Sequence, residues 1–330
     1  MKILVIFTGG TIGSTCENGI ISPDSDKKYR LLEKYYANGG KAEFDTAQPY
    51  TVLSENLNGE HLRLLYKCIK ESISLNIYDG IIVTHGTDTL QYTSAFLSYM
   101  LGLCDTPVVL VSSNYPIDNP KANGVDNFTA AVEFISSKGG CGVFTAYKNK
   151  ESFPQIHRAS RLLNHLAYDD CVYSVDYQSF GEVSGGNFVK NINYTEKEDE
   201  FISDTELNLL PVSPILKITP YVGMCYPEIG DNIKAILLEG YHSGTINTAD
   251  EALRNFCLYA KKINIPVFLT GSRQGFFYES KVLFDELSID ILPPVAPIAA
   301  YMKLWILASG NFDISENFKK SRGGDLFDFS

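Results

Sequence analysis

Lys2-Ile3-Leu4-Val5-Ile6-Phe7-Thr8-Gly9-Gly10-Thr11-Ile12-Gly13 is the stretch from which the rest of the chain is read. The apolar run Ile3 to Phe7 is rich in β-branched residues and too short for a helix, so it predicts a strand buried on both faces, as in a parallel sheet. It breaks into glycines that let the backbone turn tightly or approach a ligand. Two threonine hydroxyls, Thr8 and Thr11, flank the glycines at the carboxyl end of the strand, where open α/β sheets bind their ligands.

The same pattern recurs. Ile81-Ile82-Val83 runs into Thr84-His85-Gly86-Thr87-Asp88-Thr89, and Val108 to Val111 runs into Ser112-Ser113-Asn114. Helices are expected over 29–37, 59–74, 90–101 and 123–136. In the second of these, Leu62, Leu65, Ile69 and Ile73 repeat at three- and four-residue spacing, with Asn56 or Asn58 as cap. Residues 42–52 are expected to hold a strand, and 142–146 another. This alternation specifies a parallel sheet covered by helices, with right-handed crossovers. The polar stretch Ser14 to Lys28 is long for a connection and reads as a lid or binding loop.

With 330 residues the chain is long enough for two domains. The texture changes between Gly185 and Leu209, where Glu196, Glu198, Asp199 and Glu200 crowd together. Residues 191–211 are read as a linker between a domain of 1–190 and a smaller one of 212–330, in which 235–238, 249–261 and 267–270 give a second αβ set. The fold class is α/β: a large N-terminal domain with a mostly parallel sheet and a smaller C-terminal α/β domain. Phe318 to Ser330 reads as a helix end and a polar tail.

The formal net charge of −11 argues against nucleic acid as a partner. No apolar stretch is long enough for a membrane span, and Met1-Lys2 opens no secretory signal. Seven scattered cysteines, with no CxxC pair or zinc spacing, suggest reduced thiols in the cytoplasm.

The two strand-end turns together suggest a nucleophilic hydroxyl. A threonine attacks only when a base takes its proton, Asp88 is placed to orient such a base or to hold a cation, and strand-end amides are placed to steady an oxyanion. A nucleotide site is the rival reading, but the dinucleotide fingerprint needs GxGxxG and an acid after the second strand, and the spacing here is GGxxG.

Thr8-Gly9-Gly10-Thr11-Ile12-Gly13 and His85-Gly86-Thr87-Asp88-Thr89, in that order and spacing, resemble the two signatures of the bacterial-type L-asparaginases, the threonine amidohydrolases. Leu53-Ser54-Glu55-Asn56 and Pro107 to Ala131 also fit. The resemblance covers most of residues 1–190 and loosens after 212. It implies hydrolysis of a side-chain amide through a Thr11 acyl-enzyme, with Thr87 in a second catalytic group. Asp88 would hold the substrate ammonium, Ser54 its carboxylate, and Glu55 would stand near the ammonium, with Gly10 and Gly86 lining the site. It further implies a homodimer or homotetramer and neither a metal nor an organic cofactor.

The chain departs from that family at marked places. Arg158-Ala159-Ser160-Arg161-Leu162-Leu163-Asn164-His165 fits the frame of the family's catalytic lysine but puts Asn164 in its place; Lys148 or Lys150 is the rival source of an amine. Asparagine makes hydrogen bonds but is no proton base. Where the family's lid has a tyrosine stands Ile20, and the nearest tyrosine is Tyr29. From the second domain, Thr245 takes the place of an asparagine and Glu279 is the candidate acid. With these partners weakened, Glu55 is expected to carry much of the ammonium binding.

Blander readings stand beside these. His85 is read as hydrogen bonding within its turn rather than as a base. Ser112, Ser113 and Asn114 either line the pocket or cap the next element. Asn164-His165 with Asp169-Asp170 matches no strong metal pattern and reads as a solvated turn. Two functional alternatives remain: a protein of this fold that binds an amino-acid-like ligand without turnover, and an amidase acting on an aminoacyl-tRNA, against which the acidic charge counts.

Overall fold

The computed structural model describes residues 1–10, 12, 14–17, 20–23, 28–200, 209–272, 278–310 and 312–328. The chain divides into two compact units, Met1–Thr195 and Glu196–Ser330.

In the first unit the elements run β1 (Lys2–Phe7), β2 (Ser14–Glu17), β3 (Ile20–Pro23), α1 (Lys28–Ala37), β4 (Glu43–Ala47), α2 (Gly59–Ser74), β5 (Gly80–Thr84), α3 (Leu90–Leu101), β6 (Val108–Val111), α4 (Gly124–Ser136), β7 (Val143–Tyr147), β8 (Gln155–Arg158), β9 (Gly181–Ser184) and β10 (Asn187–Lys190). Eight strands form one sheet in the order β10-β9-β8-β7-β6-β5-β1-β4. It is parallel from β4 to β7, and β8 to β10 add an antiparallel edge. Within the polar stretch after Gly13, β2 and β3 pair antiparallel, Ser14 opposite Pro23.

The apolar runs are buried on both faces, as their sequences require. Ile3, Val5 and Phe7 pack with Leu31, Tyr35, Phe128 and Phe134 of α1 and α4, while Ile81, Ile82 and Val83 are wholly buried. α3 covers the opposite face, with α2 alongside it. Cutting one of these side chains back to alanine costs about 2–5 kcal/mol. Asn58 rather than Asn56 caps α2: its side chain accepts from the N–H groups of Glu60 and His61, and the His61 ring answers by accepting from the Asn58 N–H.

In the second unit β11 (Ile215–Ile218), β12 (Ala235–Glu239), β13 (Val267–Thr270) and β14 (Ile289–Ile291) form a parallel sheet in sequence order. Amphipathic α5 (Glu251–Lys262) buries Leu253, Phe256, Cys257 and Ala260. α6 (Glu279–Glu286) precedes β14, and α7 (Pro297–Ser309) is apolar nearly all round and buried accordingly. The short α8 (Ile314–Phe318) follows.

The expected polar tail is instead part of this core. Ser321 to Leu326 are buried, and Lys303 on α7 meets Asp325 at 2.7 Å, the two side chains 2% and 0% exposed. Asp325 also accepts the N–H of Arg322 and of Leu326. Polar residues go inside here because each charge and amide has its partner. The acidic stretch before it is divided: Tyr194 is buried against Phe180 in the first unit, whereas Glu200 donates its N–H to the Ser321 carbonyl in the second. No described helix is long and apolar enough to cross a membrane.

Candidate functional site

The tips of β1 and β5 are neighbours by register, Phe7 opposite Thr84. Thr8 Oγ1 donates to the Thr84 carbonyl at 2.7 Å and ties the tips together just below their turns. Gly9 and Gly10 take φ of +105° and +80°, which residues with a Cβ rarely adopt. A Cβ on Gly10 would stand 2.3 Å from the Gly86 nitrogen, so the two glycine backbones touch. Thr11, the expected nucleophile, lies outside the described residues.

Ser54 closes the turn from the other side. It is buried at the head of the 3-10 turn Ser54–Asn56, and a Cβ on Gly86 would lie 2.4 Å from its hydroxyl. Its hydroxyl faces Asp88 Oδ2 at 3.4 Å, and Thr89 Oγ1 donates to its carbonyl at 2.9 Å. Of the residues singled out from sequence, Gly10, Ser54 and Gly86 are thus packed together and buried, Thr87 is half-buried, and Asp88 and Glu55 are exposed. An open carboxylate beside a buried hydroxyl suits a ligand carrying both a cation and an anion.

His85 points away from this opening. Its Nδ1 lies 2.8 Å from the Gly86 carbonyl and its Nε2 2.8 Å from Thr93 Oγ1 of α3. Burial pushes its pKa down to about 4. The same holds for His157 on β8, buried with Nδ1 on Ser174 Oγ at 2.8 Å and likewise at about 4.

The two arginines of the lysine frame are structural. Arg158 is buried over the rings of Phe144 and Phe180, at 4.1 and 5.1 Å, and donates to the Cys141 carbonyl; Arg161 lies over Tyr194 at 4.8 Å. Asn164 is exposed. His165, which sequence reasoning passed over as a site residue, is half-buried. Burial lowers its pKa, opposed by the negative charges of Asp88, Asp169 and Asp170, so it shares the electrostatic field of the β5 turn. Only its place beside Asn164 hinted at this. Lys148 is engaged with Asp126 at 2.6 Å, and with Lys150 it lines a cavity of about 680 Å³ beyond β6 and β7. Asn114 and Asn123 exchange side-chain acceptors for each other's N–H groups, and Ser113 donates to the Tyr115 carbonyl, so both cap turns.

Tyr50, also unflagged by sequence, brings its buried hydroxyl to the foot of the β1 turn beside Thr8; burial raises its pKa. In the second unit Thr245 and Glu279 line one cavity of about 570 Å³ with Asn247, Arg254 and Ser280. Among the described residues no cluster of three or more His, Cys, Asp or Glu is arranged to hold a metal ion.

These features define a two-unit α/β protein with a hydroxyl-lined site at the carboxyl end of its larger parallel sheet. The N-terminal asparaginase domain profile matches residues 2–195. An L-asparaginase of Thermococcus kodakarensis is 30% identical over 251 residues, 74% of this chain and 73% of that protein. A glutamyl-tRNA(Gln) amidotransferase component of Methanosarcina barkeri is 29% identical over 261 residues, 75% of this chain, and the matched part spans only 59% of that relative's length. In fold, the thermostable L-asparaginase from Thermococcus kodakarensis superposes with a TM-score of 0.80 over 100% of both chains at 24% identity. The chain belongs to the asparaginase family.

Proposed function

We propose that the chain is an amidohydrolase that opens a side-chain amide, of L-asparagine or a related compound, through an acyl-enzyme on Thr11. One observation carries this reading: Gly10 and Gly86 touch, and Thr11 and Thr87 are the residues that directly follow them. The Thr11 hydroxyl gives up its proton and attacks the amide carbon. The oxyanion is held by strand-end N–H groups, and the nitrogen takes a proton and leaves as ammonia. Water then splits the ester, with Thr87 helping to activate it. Asp88 and Glu55 hold the substrate ammonium, and Ser54, between Gly86 and Asp88, binds its carboxylate. Asn164 cannot take a proton, so the base for Thr11 is not the residue in the family's lysine frame.

Ammonia release from asparagine, glutamine and related amides tests the reading. Release that disappears in Thr11→Ala supports it, and no release from any amide defeats it. The exposed Asn164 favours one second reading, a protein that binds an amino-acid-like ligand without turnover; saturable binding of aspartate with no ammonia from any amide would select it. The amidotransferase relative makes an aminoacyl-tRNA a further amide substrate to include. The enzyme is proposed to act in the cytoplasm as a homodimer or homotetramer, without cofactor.

A further inference from the structure

Catalysis as proposed makes no use of His85, although it is the best-anchored polar side chain at the site. Both of its nitrogens are engaged at 2.8 Å, one with the Gly86 carbonyl and the other with Thr93 Oγ1. A carbonyl oxygen only accepts, so Nδ1 must carry the proton. Nε2 is then the acceptor, and the Thr93 hydroxyl must be the donor. The opposite tautomer would set a lone pair against the carbonyl oxygen at this distance. The doubly protonated ring is disfavoured by complete burial, which keeps the imidazole neutral down to about pH 4.

This chain of bonds has a direction. It starts on α3, whose Thr93 is 0% exposed, and ends on the peptide joining Gly86 to Thr87. The next carbonyl, that of Thr87, is held on the α3 side as well, by the Leu90 N–H at 3.3 Å. In a trans peptide the N–H points opposite to its C=O. With the Gly86 and Thr87 carbonyls both turned toward α3, the N–H groups of Thr87 and Asp88 are turned the other way. No hydrogen bond among the described residues uses either one.

We propose that His85 is a positioning residue: held as the Nδ1–H tautomer by the Gly86 carbonyl and anchored on α3 by the Thr93 hydroxyl, it fixes the Gly86–Thr87 peptide so that the Thr87 amide stays free to meet the carbonyl oxygen of the substrate. The catalytic part of this rests on the amidohydrolase reading, whereas the tautomer does not. The Gly86 carbonyl sets the tautomer, Thr93 anchors the ring on α3, His85 sets the peptide plane, and neither side chain touches the substrate. A hydroxyl at position 93 is therefore a requirement of turnover rather than of binding.

The test has two arms on the full-length protein. Nitrogen-15 NMR of the His85 ring reads the tautomer without any substrate: a protonated Nδ1 and bare Nε2 at neutral pH are expected, and the reverse assignment overturns the proposal. In the kinetic arm, Thr93→Val, which keeps the shape but loses the donor, is expected to lower kcat at least tenfold with KM within twofold. Thr93→Ser should recover most of that loss. A Thr93→Val enzyme with wild-type kcat and only a lower melting temperature would reduce His85 to a structural group and sink the proposal. If the wild type hydrolyses no amide at all, the functional reading falls on that result alone, and the ring-nitrogen spectrum still decides the tautomer.

Discussion

Gly10 and Gly86 meet backbone to backbone, leaving no room between the β1 and β5 turns for even one methyl group on Gly10. Gly10 also sits at φ +80°, so an alanine there would add strain to collision. Gly10→Ala is expected to cost about 2–4 kcal/mol in stability, with the urea midpoint reading the loss, and to abolish amide hydrolysis in whatever fraction remains folded. A fully active, equally stable Gly10→Ala protein would mean that the two turns are not in contact.

Acid should loosen the first unit well before its carboxylates protonate. His85 and His157 both have their pKa pushed down from 6.5 to about 4 by burial. The unfolded chain therefore binds more protons than the folded one between those values. The stability from keeping both rings neutral is whole above about pH 6.5 and is lost as pH falls toward 4. Each histidine contributes up to about 3 kcal/mol over that window. Melting temperature measured from pH 7 to pH 4 should fall accordingly, and a flat profile would contradict the burial.

The second unit depends on an ion pair within its final residues. Lys303→Met would leave the Asp325 carboxylate buried without its cation, a change expected to cost about 3–5 kcal/mol. Differential scanning calorimetry should show this as a clear drop in the unfolding temperature. Removing Ser321 to Ser330 should be at least as damaging. It strips Lys303 of Asp325 and leaves the Lys320 carbonyl, which accepts its second bond at 2.6 Å, at a loose chain end.

Glu55 stands exposed on the turn that also holds Ser54. If it meets the substrate ammonium, Glu55→Gln should raise KM about tenfold or more while kcat at saturation changes little, since the charge it supplies acts on ground and transition state alike. Equal KM in the two proteins would remove Glu55 from the binding site.

Periodicity alone revealed the parallel core, because strands buried on both faces leave an unbroken apolar signature, as in Ile81-Ile82-Val83. The short outer strands β8 to β10 carried no such mark: Asn187-Phe188-Val189-Lys190 is mostly exposed and pairs only with the strand just before it, across the Gly185-Gly186 turn, so no continuous apolar run is needed. The buried end of the chain was misjudged for a related reason. Ser321 to Asp325 is polar by composition, and its burial rests on partners far away in the sequence: Lys303 beside Asp325, and the Asp199 and Glu200 carboxylates, which accept from the Gly323 and Ser321 N–H groups. At the candidate site, the glycine turns after β1 and β5 were legible because a tight turn and a close backbone approach are local demands that only glycine meets. His165 and Tyr50 were not, since each reaches the turns only through the tertiary fold.

The position of β1 within the sheet bears on how the protein reaches its folded state. Its neighbours on either side are Glu43–Ala47 and Gly80–Thr84, so Lys2 waits for Glu43 and Ile3 for Gly80. No short hairpin can shield this apolar segment while the chain is still searching. Long-range parallel pairing of this kind makes folding slow and leaves a sticky strand unpaired for much of the process. Refolding yield should therefore fall steeply with protein concentration, and expression should respond to lower temperature or added chaperone more than to changes at the surface.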